Sequence, residues 1–362
     1  MRKRFFAALA CLLFIVGSSF AQQFKVGVTD RQFVPPGDYN WRGAKAKVIL
    51  TTIWYPAPAS ANEVARWIGD PSNPMASAPN AAPDAPLASA PSKFPLILVS
   101  HGTGGTSGMM AWLGARLAKH GYIVVGVNHP GNNGITGYTV EGFTLWWERA
   151  RDLSSVLDLV LKDQQFASRI DANRIGAAGF SLGGYTMIEI AGGITDPDRF
   201  LKLCETTNDN AMCVDPPEFP NLKPKAEKLL ETDPVFKRSF ESGSASFRDH
   251  RIRAVFAIAP ALAVAFKPES LHKISIPVQI VSGAADPIVP VTSNAEVFAK
   301  AIPGAKLKLI PKAVHYTYLG TCTDSGRKAE PGLCVDPPGV NRDSVHQQTA
   351  DLALQFFRVN LK

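Results

Sequence analysis

A serine hydroxyl attacks a carbonyl carbon only when a base can take its proton, an acid orients that base, and hydrogen-bond donors meet the charge that builds on the oxygen. Gly179-Phe180-Ser181-Leu182-Gly183-Gly184 sets a serine between small residues at the junction of an apolar run and a helix-forming run. A strand that turns this sharply into a helix strains the backbone at the serine and brings strand and helix close together, so the flanking glycines read as steric requirements. Ordinary tight turns share the pattern. Its context favours a nucleophile, because residues 174–178 read as a short buried strand and 185–191 as a helix.

The expected partners follow in the order serine, aspartate, histidine. Asp286 stands in Gly283-Ala284-Ala285-Asp286-Pro287, just after the apolar run 278–281, where a carboxylate projects from a strand end. His315 follows the next run, in Pro311-Lys312-Ala313-Val314-His315, and is the expected general base. His120, His250, His272 and His346 read as solvent-facing or capping residues. His129 follows a third run, in Asn128-His129-Pro130-Gly131, and reads as a pocket-lining residue outside the triad order. The expected oxyanion donors are the backbone N–H of Leu182 and that of Thr103 in His101-Gly102-Thr103-Gly104-Gly105, with Gly104 as the fallback and His101 shaping the loop. That loop lacks a following Lys-Ser or Lys-Thr, which argues against a phosphate loop. Trp146 and Trp147, with Phe143 and Tyr138, suit either an apolar pocket or core packing.

These residues need a scaffold that delivers several strand ends to one edge. Segments 24–28 and 45–55 read as antiparallel strands, 94–100 and 122–128 as short apolar strands buried on both faces, and 254–259, 278–283 and 306–310 as further strands. Helices are expected at 109–120, 144–164, 293–301 and 344–359, the second as a crossover with an apolar stripe. Such alternation predicts an α/β fold with a mostly parallel central sheet flanked by helices. Residues 56–95, rich in Pro, Ala and Ser, read as a long surface loop with a brief helical possibility at 63–68. Residues 195–253 read as a helical cap-like insertion over the strand C-terminal ends, the plainer alternative being a stapled surface loop.

The first 21 residues read as a secretory signal: Arg2-Lys3-Arg4, an apolar run at 5–16, and Ser19-Phe20-Ala21 before the cleavage point. That run is too short to span a membrane, and no later segment is long enough. The mature chain, 22–362, is therefore expected to be secreted or periplasmic and without a stable membrane span. Losing the three signal cations lowers the formal charge from +7 to +4, with no dense basic run, so nucleic acid is not an expected partner. Cys204, Cys213, Cys322 and Cys334 would then meet an oxidising compartment. Four cysteines allow three connectivities; Cys204 with Cys213 and Cys322 with Cys334 is favoured because each pair is close in sequence across a loop. No Cys-x-x-Cys or histidine cluster supports zinc, and no metal is expected. Cys213-Val214-Asp215-Pro216-Pro217 is echoed by Cys334-Val335-Asp336-Pro337-Pro338.

The chain resembles the α/β-hydrolase superfamily, and within it the secreted, serine-dependent relatives of dienelactone hydrolase that are similar to platelet-activating-factor acetylhydrolase. The resemblance rests on Ile53-Trp54-Tyr55-Pro56, on Ser100 to Gly105, on Asn128-His129-Pro130-Gly131-Asn132, on Arg151-Asp152-Leu153-Ser154 and on the serine motif. It implies hydrolysis of carboxylic esters through an acyl-enzyme, without metal or organic cofactor, on a small-molecule or lipid-like ester. Dienelactone hydrolase uses a cysteine where this chain has Ser181, so the resemblance does not extend to a specificity for lactones. A serine peptidase or a non-catalytic binding protein could share the fold.

Overall fold

The computed structural model describes residues 23–36, 47–206 and 213–362; the expected signal at 1–21 lies outside them. Thirteen strands are described: β1 (Lys25–Phe33), β2 (Ile49–Ala57), β3 (Val64–Ile68), β4 (Ala76–Pro83), β5 (Phe94–Ser100), β6 (Ile123–Asn128), β7 (Asn132–Asn133), β8 (Gly137–Tyr138), β9 (Ile170–Phe180), β10 (Ile252–Ile258), β11 (Val278–Gly283), β12 (Lys306–Ile310) and β13 (Thr321–Cys322). The main sheet runs β12-β11-β10-β9-β5-β6-β2-β1-β4-β13, with β3 beside β4; β7 and β8 form a separate hairpin. From β12 to β6 every pairing is parallel, and β6-β2 and β2-β1 are antiparallel.

Strands such as β5, with every residue buried, are covered on both faces. Alternation decides which cover each side chain meets. Leu96 and Leu98 join Leu153, Val156, Ile188 and Phe298 in one core, while Ile97 and Val99 join Leu113, Leu117, Phe356 and Phe357 in the other. The helices Glu148–Val160, Leu182–Ile190 and Ala295–Ala301 therefore cover one face, and Ala111–Lys119 and Arg342–Asn360 the opposite one. The fold is that of an α/β-hydrolase. Among the described residues no helix is long and apolar enough to cross a membrane.

Two expectations about local structure are corrected. Residues 64–68, read as loop or helix, form strand β3 against β4, which itself pairs with β1 and β13. Pro79 and Pro83 within β4 argue locally against a strand, and two of the three partners that override them, β1 and β13, are distant in sequence. His346, read as solvent-facing, is buried and stacked on Trp112 with ring centroids 4.3 Å apart. Burial, reinforced by the Arg342 charge, pushes its pKa down to about 4.

The segment after Ile190 forms helices Pro197–Thr206, Leu222–Thr232 and Pro234–Glu241. Asp233 starts the last of these by accepting from the N–H groups of Val235 and Phe236, with Pro234 at the first position, where its missing N–H costs nothing. Phe236, Leu145 and Trp147 form a small core of their own between this segment and the rest of the chain. Two disulfides are present, Cys204–Cys213 and Cys322–Cys334. The repeated motif has a structural use in both copies. Asp215 accepts from the N–H of Leu222, and Asp336 accepts from Thr317 Oγ1 and Arg342 Nε, so each cysteine is followed by a carboxylate that fixes a neighbouring segment.

Candidate active site

Ser181 follows the last residue of β9 with φ 57° and ψ −116°, a left-handed backbone held because its N–H donates to Ile258 O at 2.9 Å. The neighbouring glycines are required by contact. A Cβ on Gly179 would lie 2.2 Å from Gly183 O, and one on Gly183 would lie 2.1 Å from Ser100 O. The strand–turn–helix therefore projects the Ser181 hydroxyl from the sheet edge while the helix Leu182–Ile190 packs back onto β9 and β10.

Asp286 and His315 arrive from the ends of β11 and β12. Their loops are laced together by Ala284 N–H to Ile310 O (2.9 Å) and Ala285 N–H to Ala313 O (3.1 Å). Asp286 Oδ1 accepts from the N–H groups of Ile288 and Val289, which leaves Oδ2 2.7 Å from His315 Nδ1. The other ring nitrogen, Nε2, is 2.9 Å from Ser181 Oγ. With a carboxylate on Nδ1, that nitrogen carries the proton, and Nε2 is free to accept from the serine hydroxyl. All three residues are largely shielded from water. The His315 segment is anchored from behind by the Cys322–Cys334 disulfide and by Asp336, which holds Thr317 and Arg342.

The loop after β5 abuts the serine, since a Cβ on Gly102 would stand 3.3 Å from Ser181 Cβ. Among the described residues no hydrogen bond takes up the Thr103 N–H. Leu182 is the first residue of its helix, where backbone N–H groups lack helical acceptors. Gly104, the expected fallback donor, is corrected: its N–H is already given to Asn132 Oδ1 at 2.9 Å.

The aromatic and histidine expectations are also revised. His129 is fully buried, with Nδ1 2.8 Å from Asp152 Oδ2 and Nε2 2.8 Å from Ser100 Oγ, and so lines no accessible pocket. Trp147 is buried in the small core against Phe236, its Nε1 donating to Ser239 O. Trp146 is half-buried and packs edge-on against Phe200 and Tyr185. Sequence reasoning missed the polar group behind the loop: Ser100, Arg149, Asp152 and Asn132. The available signal was a charged pair, Arg149 and Asp152, three residues apart on a helix that also carries the apolar stripe Leu153, Val156, Leu157 and Val160.

The chain has the α/β-hydrolase fold, with a serine, a histidine and an aspartate hydrogen-bonded in series at the strand C-terminal edge. Residues 86–195 match a family model described as PET hydrolase-like. Among curated proteins, the chain is 36% identical over 97 residues to cutinase est2 of Thermobifida alba, and 34% identical over 97 residues to cutinase 2 of Thermobifida cellulosilytica. These matches cover 26% of this chain and 29% and 33% of the cutinases. It is also 27% identical over 148 residues to the platelet-activating factor acetylhydrolase of Cavia porcellus, covering 30% of this chain and 33% of that protein. The chain thus spans about a third or less of the length of these relatives. A solved structure, a ferulic acid esterase from Streptomyces cinnamoneus, superposes with a TM-score of 0.63 at 19% identity, over 94% of this chain and 91% of that one, which shows a shared fold.

Proposed function

We propose that this protein is an exported serine hydrolase that cleaves carboxylic esters through an acyl-enzyme on Ser181. One observation carries the reading: the unbroken series Ser181 Oγ, His315 Nε2, His315 Nδ1, Asp286 Oδ2, with separations of 2.9 and 2.7 Å, at a strained strand–helix turn. His315 Nε2 takes the hydroxyl proton as Oγ bonds to the ester carbon, and the carbonyl π pair moves onto oxygen. The N–H groups of Leu182 and Thr103 receive that charge. Collapse of the intermediate breaks the bond to the alkoxy oxygen, which leaves with the proton held on His315. Water then repeats the sequence on the acyl-enzyme and releases the acid. Asp286 orients the ring and stabilises its charged form. The helices at 197–241 act as a cap beside the site.

The names of the matched cutinases, acetylhydrolase and ferulic acid esterase favour a small-molecule or lipid-like ester over a peptide as substrate. The two disulfides fit an exported chain. The test is turnover of nitrophenyl esters and of peptide anilides by the wild type and by Ser181→Ala, together with fluorophosphonate labelling. Ester turnover and labelling that both vanish in a folded Ser181→Ala are expected. Undiminished ester turnover in that variant, or anilide hydrolysis outrunning ester hydrolysis, would overturn the reading.

A further inference from the structure

The hairpin β7-β8 is small, with Asn132 paired to Tyr138 and Asn133 to Gly137, and the first of these pairs grips one residue of the neighbouring loop. Asn132 Oδ1 accepts the Gly104 N–H at 2.9 Å, and the Tyr138 hydroxyl donates to Gly104 O at 2.9 Å. A third bond, Gly134 N–H to Gly105 O at 3.2 Å, extends the contact along the loop. Gly104 accepts this grip because its φ is +62° and because Tyr138 Oη and Glu218 Cγ lie 3.2 Å from where a Cβ would be.

Behind Asn132 stands a fully buried polar assembly. The Arg149 guanidinium reaches Asn132 Oδ1 through Nη1 at 3.5 Å, and through Nη2 both Ser100 Oγ at 3.3 Å and His101 O. Ser100, His129 and Asp152 repeat the donor order of the surface triad without access to solvent: Asp152 holds Nδ1–H, and Nε2 accepts from the Ser100 hydroxyl. The His129 N–H donates to His101 Nε2 at 3.2 Å, so the His101 proton sits on Nδ1, directed at Gly102 O. Burial and the adjacent Arg149 charge hold the His101 pKa well below the imidazole range, which keeps that arrangement neutral.

We propose that Asn132 and Tyr138 are positioning residues that clamp both polar groups of the Gly104 residue, so that the loop 101–105 presents the Thr103 N–H to the oxyanion and withholds that of Gly104. The proposal rests on the hydrolase reading above. Its physical basis is that two neighbouring backbone N–H groups on a glycine-rich loop otherwise compete for one acceptor, and a misplaced donor acts only where charge develops. A clamp of this kind raises kcat and leaves ground-state binding almost untouched.

The test measures kcat and KM on a nitrophenyl ester, per active site titrated, and the rate constant of phosphonylation by a fluorophosphonate, whose phosphoryl oxygen occupies the same donors. Asn132→Ala should lower kcat and the phosphonylation rate about 10- to 100-fold with KM within about twofold. Asn132→Asp retains an oxygen for both Gly104 and Arg149 but gives up the Nδ2 donation to Gly142 O at 3.1 Å, so it should recover only part of the loss. Tyr138→Phe, at a partly exposed side chain and expected to fold normally, should lower both rates by severalfold. Unchanged rates in Tyr138→Phe and Asn132→Ala would overturn the clamp while a labelled wild type upholds the hydrolase. If wild-type Ser181 fails to label, the hydrolase reading falls and the clamp falls with it.

Discussion

A methyl group on Gly283 would stand 2.2 Å from the carbonyl oxygen of Ala313, so the chain leaving β11 and the chain leaving β12 touch backbone to backbone. That approach is what sets Asp286 Oδ2 2.7 Å from His315 Nδ1. Gly283→Ala must push the two loops apart. We expect ester turnover to fall at least about 100-fold, because a displacement near 1 Å at the base has that cost, with a lowered melting temperature. Turnover within threefold of wild type would show that the close approach is dispensable.

Asp286→Asn keeps the shape of the side chain and its Oδ1 contacts with Ile288 and Val289 while removing the charge. The amide can turn an N–H toward His315 and favour the wrong tautomer. A loss of roughly 10⁴-fold in kcat is expected, with a near-normal melting curve, by analogy with the corresponding change in a serine protease. A variant with more than a tenth of wild-type kcat would remove Asp286 from the mechanism.

Glu189, near the end of the nucleophile helix Leu182–Ile190, is fully buried, its Oε1 accepting from Tyr185 and Thr195 while Oε2 has no hydrogen-bond partner. Burial, opposed by those two hydrogen bonds, raises its pKa from 4.5 to about 8, so it is a neutral acid in the folded chain near neutrality. A raised folded pKa means that its stabilising share is complete below about pH 4.5 and lost as pH climbs through 8. The slope can reach about 1.4 kcal/mol per pH unit. Glu189→Gln stays neutral, and its melting temperature should fall less between pH 5 and 9 than that of the wild type. Parallel curves for the two proteins would contradict the assignment.

Cys322 and Cys334 close a 12-residue separation in the stretch of chain between Thr317 and Asp336, the pair that supports the His315 segment. Replacing both by alanine should cost roughly 2–3 kcal/mol on chain-entropy grounds and reduce ester turnover at elevated temperature first, since Thr317 and Asp336 would still hold His315 when cool. The half-buried Cys204–Cys213 pair should matter less to turnover. Temperature-dependent turnover of the two double variants separates these outcomes.

The chemistry was legible where a local rule applies. Gly179 and Gly183 announce the serine turn because close backbone approach admits no side chain there, and apolar runs bounded by Gly and Pro announce parallel strands because both faces need cover. Short-range cysteine spacing likewise pointed to the two disulfides seen. By contrast, β4 carries two prolines that argue against a strand, and it is held between neighbouring β3 and the distant β1 and β13. His129 reads from its neighbours as a strand-end residue facing the site, and the fold instead turns it inward onto Asp152.

Residue types and spacing alone determined which side chains could react and that strand ends would carry them, since propensity, periodicity and turn sterics act over a few residues. Which backbone N–H of the 101–105 loop is spoken for, and which histidine is shut away from solvent, was decided only on folding. Hydrogen-bond donors find their acceptors across 28 residues in the case of Gly104 and Asn132, and a distance of that kind has no trace in local sequence.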